Sequence, residues 1–253
     1  MSLPLQAALW GLLGGGALVL GAAAGYAAPI PRRWVSAIMA FGSGVLISAL
    51  AFELMAEAHE TGGLAATASS FMAGAIVYTV ANLALERYGA AHRKRSGDQQ
   101  AAEADHPGSG SAIAIGSLLD GIPESIAIGL SLLQGGSISL VMVAAVFLSN
   151  IPEGLASAAG MKRAGRSRRY VFSLWAVIAL CCSLSAGLGT IAFAEAPDSS
   201  IALIMAVAAG AILAMVIDTM IPEAVADTHE AAGAIAALGF LAVSYTHLRA
   251  HET

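Results

Sequence analysis

Residues 111–134 read SAIAIGSLLDGIPESIAIGLSLLQ. A helix of about 20 apolar residues crosses the hydrocarbon layer of a bilayer, and this run is long enough, yet it carries Asp120, Pro123 and Glu124 near its middle. A second run, ISLVMVAAVFLSNIPEGLASAAGM at 138–161, repeats the design with Ser149, Asn150, Pro152 and Glu153. At about 1.5 Å per residue, a motif starting about ten residues into a span lies near the bilayer midplane. A carboxylate there costs from about 2.5 kcal/mol upward, so it faces a cavity, a partner or an ion.

The rest of the chain suits the same solvent. It has 253 residues, 57% hydrophobic and only 11% charged, with a mean hydropathy of +0.76, too little polar surface for a water-soluble domain of this size. Helices are expected at Leu5–Ala28, Val35–Ala58, Leu64–Glu86, Ser111–Gln134, Ile138–Met161, Tyr170–Phe193 and Ile201–Ala224, with a shorter apolar run from Gly233. The first run lacks a basic n-region and is too long for a signal h-region, so it is read as retained. The expected fold is all-α, a polytopic transmembrane bundle of eight helices in a 3+2+3 order with its last helix truncated. Helices one to three occupy 5–86, a flexible cytoplasmic loop 87–110, helices four and five 111–161, and helices six to eight 162–241. The ending 244–253 reads as a translated adapter, which leaves His247, Arg249 and His251 without a role.

Every Lys and Arg except Arg249 falls after helix one (Arg32, Arg33), helix three (Arg87, Arg93, Lys94, Arg95) or helix five (Lys162, Arg163, Arg166, Arg168, Arg169). By the positive-inside rule these loops face the cytoplasm, and both termini face outward. The expected location is the plasma (inner) membrane. The stretch 87–110, rich in Gly, Ser, Gln, Asp and Ala, has the composition of a disordered linker, and its His92 and His106 are read as ordinary linker residues.

Leu54-Met-Ala-Glu-Ala58 resembles Met220-Ile-Pro-Glu-Ala224, and Gly44 matches Gly210 at the same offset. Helices two and seven run in opposite directions in an eight-helix chain, so this is the trace of an inverted repeat, common among transporters.

Asp120 and Glu124 are i,i+4 and share a helix face, as do Ser149 and Glu153, with Asn150 beside them. Pro123 and Pro152 each free a carbonyl one turn back, at Leu119 and Leu148. Asp120, Glu124, Ser149, Asn150 and Glu153 are therefore the candidate metal ligands. No Lys or Arg lies inside any span, so these acids are expected to be protonated or neutralised by a cation. Glu53, Glu57, Asp218 and Glu223 are auxiliary candidates, as gate residues or as solvated helix ends. Cys181 and Cys182 adjoin in an apolar run and suit packing rather than a disulfide. His59-Glu60 and His229-Glu230 lack the second His of a zincin motif.

Ile122-Pro123-Glu124 and Asn150-Ile151-Pro152-Glu153-Gly154 resemble the signature of the ZIP family, whose helices four and five each carry His-Asn-x-Pro-Glu-Gly or a close variant around a binuclear metal site. The resemblance extends to about Leu241 through the helix count, the variable loop after helix three and the Pro-Glu-Ala end of helix seven. It implies a transporter in which helices one, four, five and six move against two, three, seven and eight. This chain departs from the motif at Asp120, Gly121 and Ser149, where both imidazoles are absent. The loss favours harder cations, and helix six has no central acid, which favours one metal position over two.

The expected function is a ZIP-like transporter moving divalent cations (zinc, iron, manganese, with cadmium or magnesium as further candidates) into the cytoplasm; the alternative is a transporter-shaped metal-binding or sensing protein. The metal is cargo, and no cofactor is implied. The partners are the lipid bilayer and metal cations, with a homodimer open. A net charge of -5 gives nucleic acid no support, and an intramembrane hydrolase would need a catalytic pattern that is absent, so no enzyme is expected.

Overall fold

The computed structural model describes residues 1–135 and 138–251, and all the regular structure there is helical. Eight helices follow one another: α1 Leu3–Ala27, α2 Arg32–Gly62, α3 Leu64–Ala90, α4 Ser109–Gly135, α5 Leu140–Arg163, α6 Arg168–Ala192, α7 Asp198–Ala226 and α8 Ala232–His251. The first seven are long and apolar enough to cross a membrane. The eighth run, expected to stop after Val243, continues as helix to His251. The side chains of residues 246–251 and the whole of 252–253 lie outside the described residues, and with them most of the suspected adapter ending.

Local chemistry sets the boundaries. Pro31 and Pro197 stand immediately before α2 and α7, where a fixed φ suits a helix start. Ser139 and Ser167 cap α5 and α6 by accepting from the backbone N–H of Met142 and Tyr170. Pro123 and Pro152 lie inside α4 and α5, and both helices continue through them.

The repeat legible in α2 and α7 is also a repeat of shape. Each helix contains one π-helical turn, Leu50–Met55 in α2 and Val216–Met220 in α7, beginning at the same offset that relates Gly44 to Gly210. A Cβ on Gly44 would collide with the carbonyl oxygen of Ala236 on α8, and one on Gly210 with that of Phe71 on α3. In both places a missing side chain lets two backbones touch.

The helices sort into two groups. In one, α1 packs along α5 and α6, and α6 along α4; in the other, α2 packs along α8 and α7, and α7 along α3. The groups meet where α2 crosses α5 and where α4 crosses α7. The motifs of α4 and α5 therefore lie at the junction.

The segments after α1, α3, α5 and α7 gather at one end of the bundle. Arg32 Nε lies 3.2 Å from Asp227 Oδ2, Arg163 Nη1 3.5 Å from Asp98 Oδ1, and Arg166 Nη1 2.6 Å from Glu103 Oε2. Rings collect there too: Lys162 sits over Tyr26, Arg166 over Tyr170 and Arg33 over Trp34, the mixture of aromatic and basic groups suited to a bilayer interface.

Candidate metal centre

Asp120, Glu124 and Glu153 are all buried, at 3%, 1% and 4% exposure. The spacing explains the first two: on α4 they stand one turn apart on the side turned from lipid, while Ile122 between them is exposed. Glu153 comes to the same place from α5, and one atom marks the convergence. The Nζ of Lys94 lies 2.7 Å from Glu153 Oε2 and 3.3 Å from Asp120 Oδ2.

That contact overturns one expectation. No base lies in the middle of a span, but the segment after α3 supplies two. Arg93 and Lys94 are 1% and 4% exposed. Arg93 grips Asp120 with two bonds, Nε to Oδ2 at 2.9 Å and Nη2 to Oδ1 at 2.8 Å, the geometry at which guanidinium and carboxylate match best. Its Nη1 donates to Asn82 Oδ1 at 2.8 Å and its Nη2 to Tyr78 Oη at 2.9 Å, while Tyr78 donates to Asp120 Oδ1 at 2.6 Å. Burial alone would lower the guanidinium, but Asp120 beside it raises Arg93 above its ordinary range, so it is always charged.

The expectation of a disordered stretch at 87–110 does not describe this conformation either. Gln100 Nε2 donates to the carbonyls of Arg93 and Arg95 and, at 3.0 Å, to that of Ser157 on α5. Ser96 donates to Glu223 on α7. Glu103 Oε1 accepts from the N–H of Gly108, and Oε2 from that of Gly110 and from Arg166. Charge pairs and polar hydrogen bonds, not an apolar pattern, hold this segment.

The remaining candidates divide. Asn150 Nδ2 donates to the Gly14 carbonyl on α1 at 2.9 Å, and Ser149 Oγ to Val146 on its own helix at 3.0 Å. Both are buried beside Glu153, with those atoms turned to backbone. Glu53 lies elsewhere, its Oε2 accepting from Ser139 at 2.6 Å; Glu57 is half-buried and Asp218 exposed. Glu223 is fully buried, with Arg95 Nε 3.8 Å from its Oε2.

Two further groups border the centre. Met215 Sδ on α7 lies 2.9 Å from Lys94 Nζ, and Cys182 on α6 packs against Gly121, its Sγ 3.8 Å from the Gly121 carbonyl. Tyr78 and Asn82 are findable in principle as an i,i+4 polar pair on an apolar helix. For Arg93 and Lys94 the sequence carries no local signal.

The acids are not fully satisfied. Asp120 accepts from Tyr78 and Arg93 and faces Lys94, but Glu124 Oε1 and Glu153 Oε1 are buried with no hydrogen-bond partner. Unpaired buried acceptors are costly. Among the described residues no three His, Cys, Asp or Glu side chains stand close enough to hold a metal ion; here an ammonium lies between two of the three acids.

These features define a polytopic helical membrane protein with a buried acidic centre at the junction of two helix groups. The profile of the ZIP Zinc transporter family matches residues 85–245, and the chain belongs to that family of membrane metal-ion transporters. No curated protein matches the chain.

Proposed function

We propose that this protein carries divalent metal cations into the cytoplasm through the acidic centre of α4 and α5, with Asp120, Glu124 and Glu153 as the charged ligands and Ser149 and Asn150 as neutral ones. The observation that supports this best is the pair of unpartnered buried oxygens on Glu124 and Glu153, beside a position where a cationic group already meets Asp120 and Glu153. A hard, oxygen-rich donor set without imidazole suits manganese or iron(II) at least as well as zinc.

In this reading, Glu53 and Glu57 attract cations at the outer end, and Asp218 and Glu223 receive them at the inner end. The basic segments after α1, α3 and α5 face the cytoplasm. A divalent ion neutralises acids that would otherwise be buried unpaired, and the two helix groups shift against one another to open the centre to each side in turn. The test is initial uptake of radioactive manganese, iron, zinc, cadmium and magnesium into proteoliposomes holding the full chain. Accumulation above empty liposomes for at least one metal is expected; binding of metal without accumulation would instead favour a sensor.

A further inference from the structure

The inner side of the acidic centre is filled by the chain itself. Lys94 brings its ammonium between Asp120 and Glu153, with Met215 Sδ as a third neighbour, while Arg93 holds Asp120 from the side. The residues that follow are tied to three helices, through Gln100 to Ser157 on α5, Ser96 to Glu223 on α7 and Glu103 to the N–H of Gly110 on α4, and also to Arg166 in the α5–α6 connection. Burying two basic side chains from a polar segment requires that something gain from their charge. The gain is the neutralisation of the acids that the cargo also needs.

We propose that Lys94 is the resident counter-cation of the centre, and that residues 91–108 form a tethered plug that the transported metal must displace. This rests on the reading of α4 and α5 as the metal path. Lysine suits the role better than arginine would: its charge is compact, with three donors that rotate to suit the acceptors, as an ion does. Tethering makes it an intramolecular competitor, present at high effective concentration. A metal therefore binds with an apparent dissociation constant equal to the intrinsic one divided by the fraction of chains in which the plug is unseated.

The division of bonds separates plug from fixed strut. A structural ion pair would be expected to satisfy its acceptors, yet Glu124 Oε1 and Glu153 Oε1 stay unpaired when Lys94 is seated. Lys94, seated at Asp120 and Glu153, leaves acceptor capacity on Glu124 and Glu153 that a divalent ion would use. Asp120, already accepting from Tyr78 and Arg93, is the docking point of the segment.

The test uses the full chain in detergent micelles, with Cys181 and Cys182 changed to Ala and Ser96→Cys as reporter, since Ser96 is 1% exposed in the docked segment. Maleimide labelling of Ser96→Cys should be slow, and manganese chloride should accelerate it. Lys94→Met and Lys94→Gln should each accelerate it about tenfold or more without metal, because removing one partner of a buried pair is strongly destabilising, whereas Lys94→Arg should accelerate it less. In proteoliposomes, Lys94→Gln should lower the manganese concentration for half-maximal uptake. Unchanged labelling in both neutral variants, with uptake intact, overturns the plug and leaves the transport reading standing. Accelerated labelling without uptake by any variant supports the plug and overturns the transport reading.

Discussion

The phenol of Tyr78 donates 2.6 Å to Asp120 Oδ1 while itself accepting from Arg93 at 2.9 Å. One hydroxyl on α3 thus joins the acid of α4 to a base from the connecting segment. Tyr78→Phe removes that oxygen and leaves Arg93 Nη2 and Asp120 Oδ1 with the bond they make to each other, a loss of about 1–3 kcal/mol for the two bonds to charged groups. We expect thermal unfolding in detergent at a lower temperature than the parent, with Asp120→Asn lower still because it also strands Arg93. Equal melting of Tyr78→Phe and parent would mean that the triangle contributes nothing.

The close approaches of Gly44 and Gly210 allow a direct comparison with an unconstrained glycine. Gly44→Val and Gly210→Val must push backbones apart and should each cost about 1–3 kcal/mol or more. A Cβ added to Gly16 on α1 would meet nothing within 4 Å, so Gly16→Ala should be neutral or slightly stabilising. Size-exclusion profiles after heating would rank the three.

How far the structure is legible in the sequence varies by element. The α5 and α6 runs are expected at Ile138–Met161 and Tyr170–Phe193 and occur at Leu140–Arg163 and Arg168–Ala192, because hydrophobic length in a bilayer is a strong and local signal. The pairing of Gly44 with Gly210 is legible for a similar reason, as a small residue repeated in register. The doubled Pro-Glu motif suggests the convergence of Asp120 with Glu153. Arg93 and Lys94 are not legible. Their burial depends on acids far along the chain, and their own neighbours, Ser96, Gly97, Asp98 and Gln99, have the composition of solvated linker.

Acidity should loosen the connecting segment at its rim. The Arg166 hydrogen bond, and then the N–H groups of Gly108 and Gly110, hold the Glu103 carboxyl at about 2, below its ordinary 4.5. A depressed folded value means that the contribution is complete above the ordinary value and is lost as pH falls toward the folded one. Protease cleavage between residues 97 and 108 should accelerate as pH drops from 4.5 toward about 2, measured with an acid-stable protease. Glu103→Gln should cleave faster than the parent at neutral pH and lose most of this acid response.

Metal choice should follow the donor at position 120. Asp120→His supplies a nitrogen and should move the order of uptake toward zinc, since imidazole suits zinc better than manganese or magnesium. Asp120→Ala removes a charge and should weaken every metal. An unchanged metal order in Asp120→His would place Asp120 outside the ligand set, leaving it as the partner of Arg93.

A metal path through α4 and α5 depends on Glu124 and Glu153. Initial manganese and zinc uptake by proteoliposomes holding the parent, Glu124→Gln or Glu153→Gln measures their role most directly, with amounts of folded protein matched by size-exclusion chromatography. Each amide keeps the shape and removes the charge that a divalent ion must meet in a medium where unpaired charge is costly. Uptake in both variants should fall by about tenfold or more, the equivalent of about 1.4 kcal/mol. Parent-level uptake by both variants would contradict a metal path through these two acids.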